Sequence, residues 1–366
     1  MTAAIVARAG EDNVGLFDTD KSESRLPVSL ITGFLGSGKT TLLNRLLRKP
    51  SMGDSAVIIN EFGEVGLDHL LVSALDGEVA VLSSGCVCCT LRSDLEQTVR
   101  ELLVKRDRGE VPAFSRILVE TTGLADPAPI VGLLLNNPLV SHFVRLDAVV
   151  TTMDALYGAQ QLDEHAEAVK QAALADRLLL TKADLASQDA IEDLKLRLAA
   201  LNPGANLHIV SNGDIAPDAL FGAALFDPVR KTADVRRWIN ESAYASAGHL
   251  RDHHGAHDHS HDGDIRSFCL SAEEPLSWVA VSNWLARLRK GAGSDLLRVK
   301  GILNLAGEAA PVAIHGVHHV FHPPVQLDGW PDSDRRSRIV FITRGIERTE
   351  LEASFREHVA GRELAV

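Results

Sequence analysis

Gly33-Phe34-Leu35-Gly36-Ser37-Gly38-Lys39-Thr40 is the stretch on which the reading of this chain turns. It follows an apolar run with β-branched residues, Pro27 to Thr32, and leads into Thr41 to Arg48, whose leucines read as a helix. Strand, glycine loop and helix in that order are the setting in which a G-x-x-x-x-G-K-S/T match carries meaning. Gly33, Gly36 and Gly38 let successive backbone N–H groups turn inward around a phosphate, and the helix N-terminus adds partial positive charge. Lys39 is expected to reach the β- and γ-phosphates, and the Thr40 hydroxyl to ligate Mg²⁺. The bland alternative is a glycine turn that merely joins a strand to a helix. With the context intact, the motif implies a bound nucleoside triphosphate.

Size and charge narrow the rest. At 366 residues the chain is long enough for two domains at ~150 residues each. It is 45% apolar and 23% charged, which supplies a full core. A net charge of −12 argues against nonspecific nucleic-acid binding, which needs a positive field. Met1 to Gly10 lacks the basic start and long apolar core of an export signal. No run approaches the ~18 apolar residues of a membrane span, so neither nucleic acid nor membrane is expected as a partner. Three of the four cysteines crowd into Cys86-Val87-Cys88-Cys89. Without an export signal such crowding favours a metal over a disulfide framework, and the expected compartment is the cytoplasm.

Residues 1–26 are mixed and polar and read as a mobile arm. From Pro27 short apolar runs alternate with amphipathic stretches. Strands are expected at Val28–Thr32, Ala56–Asn60, Val79–Leu82, Arg116–Glu120, Ala148–Met153, Arg177–Thr181 and Leu207–Val210. Helices are expected at Ser93–Lys105, Leu162–Leu174 and Gln188–Leu201, the last with Ile191, Leu194, Leu198 and Leu201 on one face. This alternation implies an α/β fold, a P-loop NTPase domain over 27–234 with a mostly parallel sheet covered on both sides. Its ligand should sit at the carboxyl ends of the strands. Between 235 and 265 the periodicity stops, and the composition of His249 to His261 predicts a flexible His-rich linker. Residues 266–366 then suggest a smaller α+β domain of ferredoxin-like type. Its strands are expected at Arg266–Leu270, Leu296–Leu305, Val312–Phe321 and Arg338–Thr343, and its helices at Leu276–Lys290 and Glu350–Val359.

Four groups of residues carry chemistry. In Thr181-Lys182-Ala183-Asp184, a carboxylate after a buried strand can accept from N1–H and the N2 amino group of guanine, a donor pair that adenine lacks. The Lys182 stem would lie over the base. A surface loop with Asp184 as a helix cap is the plainer alternative. Glu120, ending the strand Arg116–Glu120, could hold the Mg²⁺ shell or the attacking water, and Gly123 could let a backbone N–H approach the γ-phosphate. Cys86, Cys88 and Cys89 can converge on one borderline ion, Zn²⁺ being the most available, and leave a coordination position open for exchange. Glu61 and Glu64 are candidates for an oxygen ligand, or else solvated loop carboxylates. His253, His254, His257, His259 and His261 can bind divalent ions loosely, or form a solvated linker. His315, His318, His319 and His322 fall in an expected apolar strand, with His318, Val320 and His322 on one face and His319 and Phe321 on the other. Cys269 reads as a buried small residue.

Together Gly33–Thr40, Asn60–Gly63, Gly85–Thr90, Glu120–Pro127 and Thr181–Asp184 resemble the CobW family of P-loop GTPases, whose relatives include the nickel-insertion GTPases of hydrogenase and urease maturation. Arg298–Gly301 and Arg336–Arg344 are similar to the family's carboxyl-terminal domain, so the likeness spans Pro27 to Glu350. The resemblance implies GTP hydrolysis coupled to carrying a metal, usually zinc and in some members cobalt for cobalamin synthesis. It implies that Gly36, Ser37, Gly38, Lys39, Thr40 and Thr41 hold the phosphates and Mg²⁺. Lys182 and Asp184 would hold guanine, and Cys86, Cys88 and Cys89 the metal. Two departures stand out, Thr181 where the family has Asn and an amino-terminal arm. The leading expectation is a GTP-hydrolysing metallochaperone that passes zinc or cobalt to a client metalloprotein. A metal buffer with a regulatory nucleotide site, and a nucleotide-dependent enzyme with structural cysteines, are the competing classes. Oligomeric state is left open, a nucleotide-dependent homodimer among the alternatives.

Overall fold

The computed structural model describes residues 25–60, 81–84, 91–222, 242–244 and 264–360. The first sheet holds seven strands: β1 (Leu26–Gly33), β2 (Ser55–Asn60), β3 (Val81–Ser84), β4 (Arg116–Glu120), β5 (Val144–Asp154), β6 (Arg177–Thr181) and β7 (Asn206–Val210). Their order is β3-β2-β4-β1-β5-β6-β7, and every neighbouring pair is parallel. A parallel sheet needs crossover helices on its faces. These include α1 (Lys39–Leu47), α2 (Leu91–Asp107), α3 (Ala128–Asn136), α4 (Gly158–Glu164), α5 (Ala166–Leu174) and α6 (Gln188–Leu201). Side-chain alternation sends Val28 and Leu30 of β1 into one core cluster and Ile31 into another, on the opposite face. In β6, Leu178 and Leu180 face the core under α5 and α6, and Leu179 the other side.

The single helix expected over Leu162–Leu174 is instead two. His165 between α4 and α5 is extended, with φ −132° and ψ 111°. The break turns its imidazole onto the Phe34 ring, the two stacking at 4.4 Å between centroids.

The second sheet contains β8 (Ile265–Ala272), β9 (Leu296–Leu303), β10 (Val312–Val317), β11 (Val320–Phe321), β12 (Val325–Gln326) and β13 (Ser337–Arg344). It is antiparallel, in the order β11-β10-β9-β13-β8, with β12 on β10. Because β13 lies between β8 and β9, the unit β8, α7 (Trp278–Ala292), β9 is a split βαβ, while the second helix, α8 (Arg348–Phe355), follows the last strand. Trp284 is fully buried at the centre, edge-on to Phe341 at 6.0 Å and Phe355 at 5.0 Å. Val312–Phe321 is not one strand. Val317 pairs with Val320, so His318 and His319 form a two-residue turn, and His318 adopts a left-handed φ of 50°. The face assignment for these histidines therefore does not hold.

The two sheets share core. Val317 joins the cluster under α2 and α3, and Ile265, Leu297 and Ile342 pack into the cluster of α5 and α6. Among the described residues no helix is long and apolar enough to cross a membrane.

Candidate nucleotide site

β1 ends in Gly33 at φ 143°, beside Thr152 of β5. A Cβ there would fall 2.7 Å from Ser37 Oγ and closer still to Thr152, so only glycine lets the loop leave the strand along this path. Ser37 is fully buried and its hydroxyl meets Thr152 Oγ1 at 2.7 Å. Its carbonyl accepts from Thr181 Oγ1 at 2.7 Å. One hydroxyl therefore ties the end of β6 to the phosphate loop, a job that threonine performs at the position where asparagine was expected. Lys39 Nζ donates to the carbonyls of Gly33 (2.9 Å) and Phe34 (3.2 Å), across the opening of the loop. Thr41 is exposed at the first turn of α1.

Thr40 and Glu120 come together although 80 positions separate them: Thr40 Oγ1 donates to Glu120 Oε1 at 2.9 Å. The cause is β4 lying beside β1, with Ile31 in register with Glu120. Glu120 is only 5% exposed. Beyond it Thr121 N–H donates to Ile31 O (3.0 Å) and Thr121 Oγ1 to Thr32 Oγ1 (2.8 Å), which carries the chain on toward the phosphate loop. Gly123 then lies directly against Leu35, where a Cβ would stand 2.7 Å from its N and 2.8 Å from its Cα.

At the other end of the site Lys182 takes a left-handed φ of 56°, and its ammonium meets Asp154 Oδ2 at 2.7 Å. Asp154 is buried, and its Oδ1 accepts from the N–H groups of Leu156 (2.8 Å) and Tyr157 (3.2 Å). That anchorage lays the Lys182 stem along the end of β6. Asp184 is exposed in the following turn, which Leu185 N–H closes onto Lys182 O at 3.0 Å.

The motif reading assigns no role to Thr152, Asp154 or Gln171, nor to Asp126 within the Glu120–Pro127 stretch. Asp126 pairs with Lys170 at 2.9 Å and caps α3 through Ala128 N–H at 2.9 Å. Gln171 is fully buried and donates to Gly123 O and Ala125 O. Its sequence signal is a lone amide on a helix face otherwise built from Ala168, Ala172 and Leu174. The calls on Glu61, Glu64, Cys86, Cys88, Cys89 and His253, His254, His257, His259 and His261 lie outside the described residues. Among the described residues no group of three or more His, Cys, Asp or Glu side chains could hold a metal ion.

Residues 27–209 match the family model described as CobW/HypB/UreG, nucleotide-binding domain, and residues 265–359 match the Cobalamin synthesis protein cobW C-terminal domain. The chain belongs to the CobW/HypB/UreG family. It is a P-loop GTPase of the CobW type. It is 32% identical over 333 residues to the zinc chaperone YjiA of Escherichia coli (strain K12), covering 90% of this chain and 98% of YjiA. To the Zinc-regulated GTPase metalloprotein activator 1 of Saccharomyces cerevisiae it is 28% identical, covering 94% of this chain and 86% of the relative. The crystal structure of Zn(II)-bound YjiA GTPase from E. coli matches with a TM-score of 0.67 at 27% identity, over 93% of this chain and 99% of that one.

In this CobW-family chain the opposite end of β6 carries the polar contact with the second sheet. Asp176 binds Arg298 and, at 2.8 Å, Lys300 Nζ, both from β9, and its Oδ2 accepts Val149 N–H at 2.9 Å. Burial alone would raise the Asp176 carboxyl, but the two cations hold it far below the ordinary carboxylate range. Burial, with Arg298 adding to it, pushes Lys300 down to about 8 in spite of Asp176. Neighbouring His315 is held well below its ordinary value, first by burial and then by Lys300 and Arg298.

Proposed function

We propose that this protein is a GTP-hydrolysing metallochaperone that binds zinc through Cys86, Cys88 and Cys89 and hands it to a client metalloprotein. The observation that carries the reading is a strand register. Ile59 of β2 pairs with Glu120 on one side and Ser83 on the other. Ser83 and Glu120 therefore stand two strand spacings apart, about 10 Å. The three cysteines follow within six residues of Ser83 in sequence, and a few residues of extended chain cover such a distance. Glu61 follows directly on Asn60 of the strand between them. A soft-ligand metal site and the phosphate site can thus share one edge of the sheet. The relatives named above, one zinc chaperone and one zinc-regulated GTPase metalloprotein activator, support zinc as the cargo.

In this reading Lys39 neutralises the β- and γ-phosphates, and Lys182 and Asp184 recognise guanine. Thr40 and Glu120 supply hard oxygen donors side by side, the donor type Mg²⁺ takes, and would hold that ion. Bound there, Mg²⁺ spreads the charge of the phosphates. The histidines at 253–261 would collect divalent ions for the thiolates. We place the reaction in the cytoplasm, with 27–234 as the GTPase domain, 235–265 as the His-rich linker and 266–366 as the carboxyl-terminal domain.

The test is linkage: zinc must change GTP affinity by the same factor by which GTP changes zinc affinity. GTP-analogue binding is measured across titrations of Zn²⁺ and of Co²⁺, in the parent and in Cys88→Ser. A shift in the parent that Cys88→Ser removes supports the reading. GTP affinity unchanged across both titrations defeats it.

A further inference from the structure

We propose that Gln171 is a positioning residue for GTP hydrolysis, and that α5 is the strut through which the carboxyl-terminal sheet sets the loop after β4. The proposal rests on the GTPase reading of the site.

Gln171 is fully buried, yet half of its amide is unused: Nε2 donates to Gly123 O (3.1 Å) and Ala125 O (3.0 Å), while Oε1 has no hydrogen-bond partner among the described residues. Desolvating an amide oxygen without a partner is unfavourable, and an apolar residue of the same shape would avoid it. Packing therefore does not account for this side chain, whereas its two donors do. They clamp the backbone on both sides of Leu124, and Gly123 in turn lies on Leu35 of the phosphate loop. The same helix reaches these loops twice more. His165, its N-cap residue, stacks on Phe34, and Lys170 pairs with Asp126.

The carboxyl end of α5 is held by the other sheet. Arg298 Nη1 donates to Leu174 O at 2.6 Å and Ala175 O at 2.7 Å, and Nη2 binds Asp176. A helix of this length is stiff, so a shift at Leu174 is felt at Gln171, one turn away. In-line attack on a phosphoryl group depends on loop geometry held within fractions of an ångström. The strut places that geometry under the control of β9.

The experiment uses the full chain and three readouts: kcat for GTP, affinity for a non-hydrolysable GTP analogue, and Tm. Gln171→Met removes both donors and the unused oxygen while filling the space. Its kcat should fall about tenfold with analogue affinity within about twofold of the parent, since two modest hydrogen bonds are at stake. Arg298→Lys keeps a cation beside Asp176 but gives up the paired carbonyl contacts, and should lower kcat about threefold. Acting through one helix, the two changes combine so that the double variant is no slower than Gln171→Met. Should Gln171→Met melt below the parent, Lys170→Ala, on the half-buried face of the same strut, gives the same kcat-only loss. A folded Gln171→Met with parental kcat overturns the proposal, as do single effects that multiply. Lys39→Ala runs alongside. Turnover surviving in it overturns the site reading and this proposal together, whereas an inactive Lys39→Ala beside a fully active Gln171→Met overturns the role of Gln171 alone.

Discussion

Thr40 Oγ1 donates to Glu120 Oε1 at 2.9 Å, joining the first turn of the helix after the phosphate loop to the end of a neighbouring strand. Both oxygens belong to the donor class that divalent magnesium prefers; the parallel pairing of β1 with β4 brings the end of β4 to the phosphate loop, and the loop's anchorage through Ser37 sets Thr40 at the start of α1. Thr40→Ala removes one of the two and leaves the strand pairing intact. The Mg²⁺ concentration for half-maximal hydrolysis should rise about tenfold, read by titrating Mg²⁺ against phosphate release. An unchanged Mg²⁺ requirement would remove Thr40 from the ion's shell.

Gly123→Ala tests the close approach to the phosphate loop. The added methyl would meet Leu35 Cδ2 at 2.6 Å as well as Leu35 backbone, so the loop after β4 must back away from its neighbour. Hydrolysis should drop by about two orders of magnitude, in line with the sensitivity of phosphoryl transfer to misplacement. Single-turnover assays at saturating GTP measure it. A rate within threefold of the parent would show that the loop accommodates the methyl.

Asp176→Asn leaves Arg298 and Lys300 buried beside a neutral amide. Removing one member of a buried charged group costs about 3–5 kcal/mol, because the remaining charges lose their partner. Urea unfolding should register a loss of that size. A loss below about 1 kcal/mol would mean that water reaches the cluster.

Acid should weaken the protein earlier than its carboxylates imply. Burial, together with Lys300 and Arg298, holds His315 well below its ordinary value near 6.5. The unfolded chain therefore takes up a proton at this residue first as the pH falls. Stability from this group is complete above about pH 6.5 and drains away below it, toward the depressed folded value. Asp176 acts in the same direction, but only below about pH 3.9. His315→Gln should flatten the stability profile just below about pH 6.5, measured by urea midpoints at several pH values. His318, also lowered by burial, keeps part of the slope.

Much of the fold is legible from local pattern. Arg116–Glu120, Arg177–Thr181 and Gln188–Leu201 begin and end where their apolar periodicity does. Strands buried on both faces leave a continuous apolar run, and an amphipathic helix leaves a stripe. The reading fails where a tertiary contact overrides the pattern. Leu162–Leu174 keeps its apolar residues across His165, yet the stacking on Phe34 goes with a break there. Val312–Phe321 stays apolar through His318, and only the pairing of Val317 with Val320 reveals a hairpin.

By itself the sequence determined the phosphate loop and the alternation of strands and helices, because each depends on near neighbours along the chain. The tertiary structure alone decided that Glu120 meets Thr40, that Thr181 secures Ser37, and that Arg298 of the second sheet holds the same helix whose Gln171 holds the loop beside the phosphate site. Those contacts join residues 48 to 144 positions apart, and strand order and register, rather than any local spacing, bring such pairs within hydrogen-bond reach.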